Sequence, residues 1–271
     1  MSNFVKIEIE TSSSECQEIL IANLSEIKFY AFEQEENSLI AYIKEEDYEV
    51  EKLKEVLVDE KNFKKTIIKG QNWNQQWESQ LQPVIVHDFA AIRASFHAPI
   101  KSVKHELIIT PKMSFGTGHH ATTFLMIEQS QNIDFRNKTV LDFGTGTGVL
   151  AILAEKMGAS KVIAIDYDEW SINNTLENIE ANNSKNIFVE KRNDLTGISP
   201  VDIILANINL NVLTVAAESI SSLLNTGSLL LTSGFLFEDE KVMENLFTAK
   251  QFVKKTVLNK DGWLSVLFQK L

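Results

Sequence analysis

Apolar and polar positions alternate along Phe4-Val5-Lys6-Ile7-Glu8-Ile9, the period of a half-buried strand. From Glu15 to Ile27 the period lengthens. Cys16, Ile19, Leu20, Leu24 and Ile27 fall on one face of a helix. Strand-like runs follow at 29–32 and 39–43, joined across the polar turn Glu36-Asn37-Ser38. Residues 48–58 return to helical spacing, with Val50, Leu53 and Leu57 on one face. Residues 63–69 read as a further strand. The order βαββαβ predicts a ferredoxin-like α+β domain over residues 1–70. That fold hosts many activities and names none.

Gly70 breaks the pattern. Asn72–Leu81 reads as a short polar amphipathic helix ended by Pro83, with Trp73 and Trp77 on one face. We take 71–83 as a linker helix packed by its tryptophans, and 84–271 as a second domain. Short strand-like runs at 84–87, 91–96 and 106–109 lead into a loop spanning 111–123. Strands are then expected near 139–143, 161–165, 186–190, 201–206 and 227–232. Helices are expected near 148–157, 169–182, 209–224 and 237–248. The runs 252–259 and 263–269 form a hairpin turning at Lys260-Asp261-Gly262. Alternating βα units that end in an antiparallel hairpin predict an α/β fold, a doubly wound sheet of seven strands.

The chemistry concentrates where predicted strands end. Val140-Leu141-Asp142-Phe143 runs into Gly144-Thr145-Gly146-Thr147-Gly148, and a helical pattern starts near Val149. Such a loop is a strand-to-helix turn that also lets backbone approach a ligand at a helix N-terminus. A dinucleotide fingerprint would need glycine where Val149 stands. G-x-G-x-G behind Asp142 instead suits S-adenosyl-L-methionine, which has no pyrophosphate. Asp166 ends the next strand, 22 residues after Gly144, close to the offset at which an acid meets ribose hydroxyls. Asp168 is better placed than Asp166 to cap the following helix. Asn207 ends the fourth strand, and Asn209 is the better cap for the helix after it. Asp194 is a weaker candidate for the adenine amino group, since Asn193-Asp194 also reads as a turn.

His119-His120 lacks a supporting acid or cysteine cluster, and neighbouring histidines on a helix would point apart, so no metal is expected. Gly116 and Gly118 suggest a mobile loop that closes on the cofactor. Thr122 and Thr123 stand at a helix start, where hydroxyls cap or touch a ligand.

Composition narrows the partners. Residues 1–60 hold five lysines and sixteen acids, so the whole net charge of −11 sits there. Such a face repels nucleic-acid phosphates and attracts a basic partner; as a plain solvated face it would only aid solubility. The one cysteine, Cys16, excludes an internal disulfide and a cysteine zinc site. No apolar run approaches membrane-spanning length, and the N-terminus lacks a secretory pattern. A cytoplasmic monomer with no membrane contact is expected.

The segments Ser114-Phe-Gly-Thr-Gly-His-His-Ala-Thr-Thr123, Leu141-Asp-Phe-Gly-Thr-Gly-Thr-Gly148, Ala164-Ile-Asp-Tyr-Asp168 and Leu205-Ala-Asn-Ile208, with the Asn72-Trp-Asn-Gln-Gln-Trp77 helix, resemble the bacterial methyltransferases of the eleventh protein of the large ribosomal subunit. The likeness spans about residues 72–271. It implies a class I S-adenosylmethionine-dependent protein methyltransferase acting on lysine ε-amines and the α-amine. It also implies an N-terminal domain that holds the ribosomal protein. Carried over position by position, the cofactor contacts would be Thr123, Gly144, Asp166 and Asn207, with Asn207 also catalytic. Two departures stand out: Thr145 and Thr147 replace the family's frequent cysteine and serine. Asn209-Leu-Asn211-Val also replaces its leucine, small residues and proline.

The implied reaction is in-line displacement by an amine nitrogen, with no strong general base visible. Methylation of a base or a glutamine amide is disfavoured, because Ile208 and Asn209 replace the proline and aromatic that stack a planar group. A non-catalytic binding module and a nicotinamide enzyme are the readings from other classes.

Overall fold

Seven strands, the central ones built of buried Val, Ile and Leu, form the centre of the chain's larger unit, and their two faces bury different sets of side chains. In this computed structural model residues 3–11, 13–35, 37–57, 63–68, 81–110, 112 and 115–271 are described. The chain divides into residues 1–81 and 82–271 by the density of its internal contacts.

In the first unit β1 (Phe4–Glu10), α1 (Ser14–Glu26), β2 (Ala31–Gln34), β3 (Ser38–Lys44), α2 (Val50–Val56) and β4 (Phe63–Ile68) follow in order. The sheet runs β2-β3-β1-β4, antiparallel throughout, which is the ferredoxin-like arrangement. Strand alternation puts Val5, Ile7 and Ile9 on one face, fully buried with Leu20 and Leu24 of α1 and Leu53 of α2. Helix α2 starts later than its apolar spacing suggests, because Tyr48 and Glu49 are extended between it and the 3₁₀ turn Glu45–Asp47. Most of the expected linker helix, with Trp73 and Trp77, lies outside the described residues; residues 81–83 have no regular structure.

The second unit opens with β5 (Val84–Val86), β6 (Ala90–Arg93) and β7 (His105–Ile108), a small mixed sheet. Strand β6 stops at Arg93, short of Phe96. The Arg93 guanidinium turns back onto the carbonyls of Ala94 and His97, and it forms a two-pronged pair with Glu106. Next come α3 (Ala121–Ser130), β8 (Thr139–Phe143), α4 (Val149–Lys156), β9 (Lys161–Asp166), α5 (Glu169–Ala181), β10 (Ile187–Lys191) and β11 (Val201–Asn207). The chain closes with α6 (Leu210–Leu223), β12 (Leu224–Leu236), α7 (Glu240–Thr248), β13 (Phe252–Lys260) and β14 (Trp263–Lys270).

The large sheet runs β10-β9-β8-β11-β12-β14-β13, with β14 antiparallel to both neighbours and β8 to β12 parallel. Val140, Val162 and Leu205 pack under α3 and α4 on one face. Leu141, Ile163 and Ile204 pack under α6 and α7 on the other. Burial on both faces explains why these strands read as unbroken apolar runs. Among the described residues no helix is long and apolar enough to cross a membrane. The carboxyl ends of β8, β9 and β11 meet at one edge, the place where open parallel sheets hold ligands.

Candidate active site

The loop after β8 is shaped by what presses on it. Gly144 and Thr145 donate their amides to the Ile165 carbonyl of β9, at 2.9 and 3.0 Å. Gly144 and Gly146 have φ of 76° and 57°. A Cβ on Gly144 would lie 2.4 Å from Ile208 Cγ2, and one on Gly146 would lie 2.4 Å from the Phe115 carbonyl oxygen. The glycines are therefore required by the protein's own packing as well as by any ligand. Thr147 fixes the crossing chain: its amide donates to the Phe115 carbonyl at 3.0 Å, and its hydroxyl to the Gly116 carbonyl at 2.8 Å.

Beneath the loop Asp142 is 1% exposed. Its Oδ2 accepts from the Thr145 hydroxyl at 2.7 Å and the Ala151 amide at 3.1 Å, while Oδ1 is buried without a partner. Burial pushes its pKa up to about 7, and the nearby Asp166 adds to the rise, against the two hydrogen bonds that lower it.

Asp166 ends β9. Its Oδ2 accepts from the Gly146 amide at 3.0 Å, and its Oδ1 from the Asp168 amide at 3.0 Å. Each oxygen keeps further acceptor capacity. Asp168 caps α5 by accepting from the Ser171 amide. Asn207 ends β11 and donates through Nδ2 to the Thr123 hydroxyl oxygen at 3.3 Å. Its Oδ1 is buried with no partner. Thr123 is fully buried in the first turn of α3, so α3 and β11 hold one another at this point. Asn209 caps α6 through the Val212 amide. Thr123, Gly144, Asp166 and Asn207 thus stand around one edge of the sheet, across strands β8, β9 and β11.

A cavity of about 400 Å³ opens beside Phe143, Asn193, Asp194, Leu195, Asn211 and Val212. Asp194 accepts from the Thr196 amide at 2.8 Å, which closes the turn expected at Asn193-Asp194. That bond, with a second from the Thr196 side chain, lowers the Asp194 pKa. Asp194 therefore both makes the turn and presents a carboxylate at the cavity wall.

The two histidines precede α3 instead of lying on it. His120 Nδ1 accepts from the Thr122 amide at 3.3 Å as the N-cap, and its ring sits 4.8 Å from Trp263 and 5.2 Å from Phe115. His119 lies 3.0 Å, through Nε2, from the Gln82 carbonyl. Among the described residues no group of acids, histidines or cysteines could hold a metal.

Several residues of the site carry no motif. Thr145 and Thr147 read only as small spacers between glycines, yet both hydroxyls are hydrogen-bonded. Thr175 and Asn178 are fully buried on α5 and reach the Gly146 and Thr147 carbonyls at 2.9 and 2.8 Å. The available signal is a polar stripe at positions 171, 174, 175, 178 and 182, on a face that a helix against this sheet should fill with apolar residues.

A seven-stranded sheet of this order, a glycine loop after its first strand and a carboxylate at the end of its second define a class I S-adenosylmethionine-dependent methyltransferase. The family described as ribosomal protein L11 methyltransferase (PrmA) matches residues 4–271. The chain belongs to that family. A ribosomal protein L11 methyltransferase of Phocaeicola vulgatus is 36% identical over 279 residues, covering 97% of this chain and 98% of that protein. One from Chlorobaculum tepidum is 34% identical, covering 98% and 96%. A solved ribosomal protein L11 methylase from Lactobacillus delbrueckii subsp. bulgaricus superposes with a TM-score of 0.65 at 25% identity, over 70% of this chain and all of that one.

Proposed function

We propose that this chain transfers methyl groups from S-adenosyl-L-methionine to amines of ribosomal protein L11, at lysine ε-amines and the α-amine. The observation that carries the reading is the buried, unpartnered Oδ1 of Asn207 at the end of β11. An orphaned acceptor in a closed site costs free energy unless a ligand donates to it. An amine N–H is such a donor.

The other residues fit the parts of the cofactor. Asp166 has acceptor capacity left for a ribose diol. The glycine loop offers backbone at Gly144 for close approach. The cavity beside Asp194 has a largely apolar wall and one carboxylate, suited to an adenine ring and its amino group. Thr123 engages the Asn207 amide through Nδ2, which leaves Oδ1 as the free acceptor.

The cofactor supplies an electrophilic methyl group carried on a sulfonium. The protein must present a neutral nitrogen in line with it. A lysine of ordinary pKa pays ~4.6 kcal/mol for its lone pair at pH 7. A desolvated site lowers that pKa. Asn207 then orients the amine by accepting one N–H, and positioning does the rest. The acidic first unit is the surface for a basic protein substrate.

The test is methyl transfer from isotope-labelled S-adenosylmethionine to unmethylated L11, with sites read by mass spectrometry. Label on lysine ε-nitrogens and the α-nitrogen is expected. Label confined to glutamine, or none despite cofactor binding, would overturn the amine assignment.

A further inference from the structure

Helix α5 carries Asn174, Thr175 and Asn178 on a buried face, at 1%, 0% and 0% exposure, with Asn182 at its C-cap. These side chains take the place of a neighbouring strand. Asn182 accepts from the Ile108 amide at 3.0 Å and donates to the Ile108 carbonyl at 2.7 Å. Asn178 accepts from the Thr110 amide at 2.8 Å. The match is metric: two residues of strand advance about 6.6 Å, and four residues of helix advance about 6.0 Å. Amides four apart on α5 therefore meet alternate residues at the end of β7.

Asn178 differs from Asn182 in where its donor goes. Its Nδ2 donates to the Thr147 carbonyl of the glycine loop, at 2.8 Å. Thr147 in turn holds the chain at Phe115 and Gly116. One buried amide thus bonds both the chain entering the site at Thr110 and the loop beneath it. Thr175 adds a parallel tie to Gly146.

We infer that Asn178 is a positioning residue for the cofactor site, setting the glycine loop against the chain that crosses it at Thr110 and Phe115. The inference rests on the cofactor reading above. It predicts that breaking the amide's donor half weakens cofactor binding, while breaking the corresponding tie at Asn182 costs stability alone.

The experiment compares Asn178→Asp, Asn178→Ala and Asn182→Ala in the full chain. Asn178→Asp keeps shape and the acceptor for Thr110, loses the donors to Thr147 and Asn174, and sets a buried carboxyl oxygen against the Thr147 carbonyl. It stays informative if the alanine variant does not fold. Cofactor affinity is measured by calorimetry with S-adenosylmethionine, and cofactor-free hydrogen exchange is followed over 143–150. Both Asn178 variants are expected to raise the cofactor Kd about tenfold, the scale of one lost buried hydrogen bond. Their kcat at saturating cofactor should stay within about threefold of wild type, and exchange over 143–150 should quicken. Asn182→Ala is expected to melt earlier with cofactor Kd and loop exchange unchanged. Folded Asn178 variants with wild-type Kd and exchange would overturn the inference, as would an equal loss of affinity in Asn182→Ala. A wild-type chain that bound no cofactor would instead overturn the cofactor reading. Loop exchange would then decide the role of Asn178 by itself.

Discussion

At the scale of single residues, two buried oxygen atoms without partners define what the site asks for. Asn207 Oδ1 is one. Replacing Asn207 with alanine should lower kcat by on the order of 10²-fold, the cost of misplacing a reacting group by about an ångström. Cofactor affinity should change far less. Steady-state kinetics beside a cofactor titration checks this, and wild-type kcat in the variant would remove Asn207 from the reaction. Asp142 Oδ1 is the other. The folded pKa is raised to about 7, mainly by burial, so the fold prefers the protonated carboxyl. An unfolded aspartate titrates near ~3.9. The group's contribution is therefore favourable below that value and is lost as pH rises through 7. Between pH 5 and 8 the cofactor-free wild type should lose on the order of 2–3 kcal/mol from this source. Urea melts at both pH values should show that loss in wild type and not in Asp142→Asn. Parallel pH dependence in the two proteins would contradict the assignment.

Among elements, the glycine loop is held by three others, and a methyl group placed there reads their pressure. Gly146→Ala puts a Cβ against the Phe115 carbonyl oxygen at a φ of 57°. Gly197 has a similar φ of 75°, but a Cβ there meets nothing within 4 Å. Gly197→Ala should cost only the left-handed strain, about 1 kcal/mol, while overpacking should bring Gly146→Ala to about 3 kcal/mol or more. Chemical denaturation of both variants checks the contrast, and equal losses would mean that the crossing chain yields to the methyl. The same elements show what could be read in advance. The places of Asp166 and Asn207 at strand ends were legible because each closes an apolar run. Caps at Asp168 and Asn209 were legible because capping is local. Asn178 was not, since its partners Thr147 and Thr110 lie 31 and 68 residues away. The end of β6 at Arg93 was hidden for a related reason: a guanidinium folding back onto carbonyls leaves no trace in apolar periodicity.

At the scale of the whole molecule, each unit has its own buried core, and most of the net negative charge lies in the first. Val5, Ile7, Leu24 and Leu53 close one core, and the two faces of the large sheet close the others. The first 60 residues carry the full −11, while the remainder is balanced. Exposed acids such as Glu18, Glu26, Glu33 and Glu45 contribute little to the stability of their own fold, since surface pairs are worth about 0–1 kcal/mol. Their value lies in the field they make together. A field of that kind raises the encounter rate with a basic protein, and salt screens it with a Debye length that falls from ~10 Å at 0.1 M to ~3 Å at 1 M. In the proposed reading S-adenosylmethionine meets glycine-loop backbone and the buried Asp166 of the second unit, where screening is weak. Raising salt from 50 to 500 mM should therefore increase the KM for L11 several-fold and leave the KM for S-adenosylmethionine within about twofold. Initial rates of methyl transfer with each substrate varied in turn measure both. A KM for L11 indifferent to salt would leave the acidic unit only a solvated face and move recognition to apolar contacts.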